Sequence, residues 1–162
     1  MTLRRTLLVL AAAASLTAPA AMGAPDVQAA AQALLTAYAA GDRDRVADMV
    51  SHGSLHVYGS DVAEVTSGRD GFLGTLAADH KLWGQGAAFG AMRNVSIEKD
   101  GDLASLFFDT AFTVQGRTVP IRFATVWRLE KGRWKLVQCS NVVPTVGQSA
   151  ADILKTMAKP AP

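Results

Sequence analysis

Asp61, His80 and Tyr58 have the side-chain chemistry to supply the acid or base of a proton transfer, and Glu64 and Asp79 are further carboxylates that could do so. Asp79 and His80 are neighbours on a helical segment, where successive side chains diverge by about 100°, so they form no dyad by themselves. His80, near the C-terminal end of that segment, has the simpler reading of a histidine at the edge of the core. His56 and Tyr58 share one face of a short strand, and they either line a cavity or lie in solvent. Arg93 offers different chemistry: a guanidinium at a cavity edge can hold a carboxylate through two hydrogen bonds, whereas one at a rim reaches into water.

Other chemistries are excluded by composition. The chain has a single cysteine, Cys139, which cannot form an internal disulfide, and its three histidines stand at spacings that make no zinc pattern. No cofactor is expected. With 162 residues, 49% hydrophobic and 19% charged, the chain suits one globular domain. The net charge of +2 is due to Arg4 and Arg5. The remaining acidic and basic residues balance, so nucleic acid is not an expected partner.

Met1 to Ala24 has the order of an export signal. Arg4 and Arg5 form a basic start, Leu7 to Leu16 an apolar run, and Ala18-Pro19-Ala20 or Ala21-Met22-Gly23 a small-residue cleavage region. The Arg4-Arg5-Thr6-Leu7-Leu8 run also partly resembles a twin-arginine signal. The expectation is a signal peptide over 1–24, a domain over 25–146 and a tail over 147–162 containing a short helix. The product would be periplasmic or extracellular, with no stable membrane anchor after cleavage, since the apolar run is short of the roughly 20 residues of a spanning helix.

The chain after the signal is helical in its first half and strand-rich in its second, which suggests an α+β domain. Val27, Ala30, Ala31, Leu34, Leu35 and Tyr38 form one helical stripe ending at Gly41. Asp42 caps a short helix carrying Val46, Met49 and Val50, and short strands follow at 55–58 and 63–66. Ser67 and Asp70 have the spacing of a capping box for a third helix, whose Phe72, Leu73, Leu76, His80 and Trp83 share a face before Gly84 and Gly86.

Asp100-Gly101, Gln115-Gly116 and Lys131-Gly132 then punctuate an antiparallel four-strand meander starting near Asn94. Its last three strands run about a dozen residues each, long enough to coil around a cavity. Two-residue turns set the register. One row carries Ile97, Ala104, Trp127 and Leu136; the next Val95, Leu106, Thr125 and Gln138; the next Arg93, Phe108, Phe123 and Ser140. This more apolar face should meet the helices. The other carries Asp109 opposite Arg122, with Phe107, Val126, Val137 and Cys139, a mixture that predicts a homodimer through that face. Cys139 on such an interface would be placed for an oxidised cross-link between subunits.

Val126-Trp127-Arg128, followed by Gly132, Trp134, Gln138 and Ser140, resembles the end of SnoaL-like domains of the nuclear transport factor 2-like superfamily. Tyr38-Ala39-Ala40-Gly41-Asp42 and Gly68-Arg69-Asp70-Gly71-Phe72 are similar to the corresponding helix end and helix start, and the likeness extends over 27–144. The resemblance implies a cone of three helices against a curved antiparallel sheet, often dimeric, with a pocket between them. It also implies a wide range of functions, from isomerases, cyclases, dehydratases and hydrolases to association modules. Several related domains have two histidines and a serine on the last strand, at the positions of Gln138, Ser140 and Val142. Neither histidine is present here, which weakens an acid-base mechanism based on them.

The leading expectation is therefore an exported domain that binds a small, mostly apolar molecule. Its pocket would comprise Arg93, Thr110, Thr125, Gln138 and Ser140, the rings of Phe108 and Phe123, and Tyr58 and Trp83 on the facing side. Arg93, the one cation of those rows, favours a ligand with an acidic end. The alternative is a SnoaL-like enzyme of the isomerase, cyclase or hydrolase type, using Asp61, His80 or Tyr58 for proton transfer. A cavity filled by side chains would instead mean a structural dimer module.

Overall fold

The computed structural model describes residues 26–157, so the export signal expected over 1–24 lies outside the described residues. Helix α1 (Val27–Ala39) begins where Asp26 accepts the Gln28 N–H at 2.9 Å and buries Val27, Ala31, Leu34 and Leu35. Gly41 (φ +68°) turns the chain, and Asp42 caps α2 (Arg43–Met49) by accepting the Arg45 N–H.

Strands β1 (His56–Tyr58) and β2 (Val65–Ser67) form a small hairpin before α3 (Arg69–Trp83). The strand expected over 63–66 starts later because Asp61 Oδ1 accepts the Ala63 N–H, holding that segment in a turn. The expected capping box does not form. Gly68 (φ +77°) occupies the N-cap without a side-chain bond, and the Ser67 hydroxyl lies 3.2 Å from His56 Nδ1 instead. Gly84 ends α3.

The sheet is completed by β3 (Ala88–Phe89), β4 (Arg93–Asp100), β5 (Leu103–Val114), β6 (Arg117–Glu130) and β7 (Arg133–Val142). Its order is β2-β1-β7-β6-β5-β3, with β4 also paired to β5, and β1 lies parallel to β7. A short helix α4 (Ala150–Met157) follows in the tail. Helices α1 and α3 cover one face of the curved sheet, over a core centred on Trp127, Leu106, Leu136 and Leu76.

The β5–β6 register agrees with the turn arithmetic: Leu106 opposes Thr125, Phe108 opposes Phe123, and Asp109 opposes Arg122. Gln115-Gly116 and Lys131-Gly132 have positive φ at both positions, the backbone of a type I′ turn. The first hairpin turns at Gly101-Asp102 instead of Asp100-Gly101, pairing Asp100 with Leu103. That moves β4 by two positions and leaves its faces unchanged.

Two bulges do change faces. One lies between Arg93 and Ser96, where Asn94 adopts φ 51°. The other lies in β7, opposite Val126 and Trp127. There Leu136 still opposes Trp127, but Val126 opposes Gln138 and Thr125 opposes Cys139, so Val137 is the additional residue. The edge partner of β7 changes at the same place, from Val50, which bridges Leu136, to β1, which begins opposite Gln138.

Candidate functional site

A cavity of about 130 Å³ opens between α1, α3, β1 and the inner face of β5–β7. Leu34, Phe72, Phe108, Phe123, Trp127 and Leu136 form most of its apolar wall. These side chains come from the helical stripes and from the inward rows of the sheet, so the fold's ordinary amphipathic pattern builds the wall. Space for roughly one aromatic ring remains within it.

Polar side chains from the helices and from the sheet interrupt that wall. Tyr38 from α1 donates its hydroxyl to Asp79 Oδ2 of α3 at 2.7 Å, and Glu64, an exposed residue in the turn before β2, also contributes to the lining. The Glu64 carboxylate accepts the Asp61 N–H at 3.1 Å and lies over Gly59, in the place a Cβ there would fill. Burial holds the Asp79 carboxyl above the ordinary carboxylate range; the Tyr38 hydrogen bond works against that shift and the charge of Glu64 adds to it. Burial, and next the Asp79 carboxylate, push the Tyr38 phenol well up. On the sheet side Asn141 and Cys139 point inward, and burial pushes the Cys139 thiol up to about 12.

Among the expected pocket residues, Phe108, Phe123 and Thr125 line the cavity. Thr125 donates to the Leu106 carbonyl at 2.9 Å and accepts the Trp127 indole N–H at 2.8 Å, so its hydroxyl serves the framework and does not meet Gln138. Thr110 is buried but lies outside the cavity lining, donating to the Gly90 carbonyl at 2.9 Å. Trp83 stands behind the wall, 4.6 Å from Phe112 and 5.8 Å from Tyr38 between ring centroids.

Gln138, Ser140, Tyr58 and Arg93 are on the other face. The β7 bulge turns Gln138 and Ser140 outward, and β1, paired to them, carries His56 and Tyr58 outward too, with Tyr58 57% exposed. Val57 lines the cavity in their place. The Asn94 bulge pairs Arg93 with Asp109 and leaves it exposed in a shallow outer cleft with Arg122. The acidic-ended ligand expected from Arg93 loses its basis. Cys139, expected on the outer face, is inside, so the expected cross-link between subunits loses its basis as well.

Asp61 is exposed and occupied by the Ala63 N–H. His80 packs its ring over Gly41, and its buried Nδ1 has no hydrogen-bond partner among the described residues. Neither lines the cavity. Asp79 and Glu64, named from the sequence as further carboxylates, do, and so do Tyr38 and Asn141, which sequence reasoning had not placed in the site. Tyr38 closes the apolar stripe of α1, and Asp79 falls three positions after Leu76 and seven after Phe72, on the buried side of α3. Polar side chains on those stripes were the available signal.

The profile of the SnoaL-like domain family matches residues 27–144, and the chain belongs to that family, within the nuclear transport factor 2-like superfamily. Its members bind small molecules or act as enzymes. Several solved structures share the fold. A nuclear transport factor 2-like protein of unknown function from Pseudomonas putida superposes with a TM-score of 0.65 at 11% identity, over 75% of this chain and 87% of that one. A protein of the same family from Streptomyces avermitilis, provisionally assigned as a dehydratase, gives 0.65 at 18% identity, over 74% and 94%. One from Novosphingobium aromaticivorans gives 0.63 at 14% identity, over 82% and 86%. No curated protein matches the sequence significantly.

Proposed function

We propose that this SnoaL-like domain is exported and binds a small, mostly apolar molecule in the cavity between its helices and its sheet. The observation that carries the reading is the cavity itself: an apolar wall around unfilled space, interrupted by a few hydrogen-bonding groups that include Tyr38, Asp79, Glu64 and Asn141. A structural module would have filled that space with side chains. The exposed Phe107, Tyr58 and Val142 on the outer face support a homodimer, for which light scattering should report twice the protomer mass.

Purification from the native source, followed by mass spectrometry under conditions that preserve complexes, tests the binding reading. A co-purifying small molecule, displaced when Phe108→Trp fills the cavity, is the expected result. A protein that carries nothing and takes up no apolar dye would sink it.

A second reading, proton transfer on the bound molecule, is favoured by one observation: the half-buried Asp79 carboxyl lies inside the cavity beside a phenol. Asp79 would act as the base, with Tyr38 orienting it.

A further inference from the structure

Resting on that reading of the cavity, we infer that its ligand is a lipophilic amine, a protonated nitrogen seated against Asp79 and Glu64 with a ring-sized apolar group among Phe72, Phe108, Phe123 and Trp127. The described residues that line the cavity include two carboxylates and no lysine, arginine or histidine. The charged groups of the lining are therefore acidic, and a ligand carboxylate there would meet only like charge.

Asp79 has one oxygen on the Tyr38 hydroxyl, and its Oδ1 has no partner among the described residues; the Asn141 side chain has none either. Two acceptors thus remain for the N–H bonds of an ammonium. The charge of Glu64 opposes ionisation of Asp79 in the empty cavity, and a cation between them reverses that penalty, because each carboxylate then faces an opposite charge. A neutral alcohol could satisfy the same acceptors without compensating either charge. The volume of about 130 Å³ admits one ring and excludes a large fused skeleton from full enclosure.

Titration calorimetry at pH 7 with three probes of one skeleton tests the inference: 3-phenylpropylamine, 3-phenylpropanol and 3-phenylpropionate. The amine should bind at least tenfold more tightly than the alcohol, and the carboxylate most weakly. Asp79→Asn should weaken the amine at least tenfold and the alcohol, which loses no charge pairing, by much less, and Glu64→Gln should cause a smaller loss of the amine. Circular dichroism checks that each variant is folded; should Asp79→Asn not fold, Glu64→Gln and the wild-type probe order decide. If the alcohol or the carboxylate binds as tightly as the amine, or if neither variant changes the amine's affinity, the amine assignment is wrong while the pocket stands. If no probe binds, the amine assignment is wrong, and the pocket reading is decided separately by the co-purification and dye-uptake measurements.

Discussion

Tyr38 Oη donates to Asp79 Oδ2 at 2.7 Å, joining α1 to α3 across 41 positions of sequence at the cavity wall. Tyr38→Phe removes the donor and keeps the ring, which packs 5.3 Å from Phe72 between centroids. Since Asp79 is only half-buried and water can reach it, the loss should be about 1 kcal/mol, below the full range for a hydrogen bond to a charged group. The same variant should raise the Asp79 pKa further, because this bond favours the ionised carboxyl. Urea unfolding measures the first effect and a carboxyl-resolved NMR titration the second. A fall in the Asp79 pKa would contradict the assigned hydrogen bond.

Asp79 also makes stability depend on pH in a defined direction. Its pKa is raised in the folded protein by burial first and by Glu64 in addition, with Tyr38 opposing. The folded state therefore binds the proton more tightly than the unfolded chain does, and stability declines as pH rises from below the ordinary carboxylate range through the raised value. Asp79→Asn keeps an acceptor for Tyr38 and abolishes the charge. It should raise Tm at pH 7 and lose that advantage near pH 3. An equal effect at both pH values would show that ionisation of Asp79 is not what destabilises the wild type.

The meander was legible because its turns are chemical. Gln115-Gly116 and Lys131-Gly132 demand positive φ, and once they are placed, pairing of β5 with β6 follows without further information. The bulges were not legible. Val137 is an ordinary strand residue, and its bulge coincides with a change of edge partner that depends on the distant Val50 and His56. One additional residue there exchanged Gln138 and Ser140 for Cys139 and Asn141 in the cavity. Asn94 carried a faint signal, since asparagine tolerates φ > 0 better than most residues. On α3, grouping Phe72, Leu76, His80 and Trp83 as one face drew attention to His80, one position beyond the residue that reaches the cavity.

The contact of α1 with α3 supports a contrast between two glycines. Gly41 has φ +68°, and a Cβ there would stand 2.6 Å from His80 Cγ. Gly41→Ala should thus cost about 1–2 kcal/mol for the backbone and about 1–3 kcal/mol more for displacing the half-buried His80 ring. Gly74, within α3, has nothing within 4 Å of the place an alanine methyl would take, and alanine there should stabilise by about 0.5–1 kcal/mol. Denaturant unfolding of the two variants should move the midpoint in opposite directions. A neutral Gly41→Ala would mean that His80 does not occupy that position.

The β7 bulge can be tested by cysteine reactivity, because it assigns neighbouring residues to opposite sides of the sheet. The Cys139 sulfur faces the cavity and its pKa is pushed up to about 12 by burial, so little of the thiol is ionised at pH 8. Gln138 is exposed on the outer face, where an introduced cysteine would titrate near the unperturbed value of about 8.5. With a small maleimide at pH 8, wild-type Cys139 should label slowly, and the Gln138→Cys, Cys139→Ser double variant should label at least a hundredfold faster. A ligand in the cavity should slow Cys139 further and leave the residue-138 thiol unaffected. Without the bulge Gln138 would lie inside and Cys139 outside, and the two rates would be reversed.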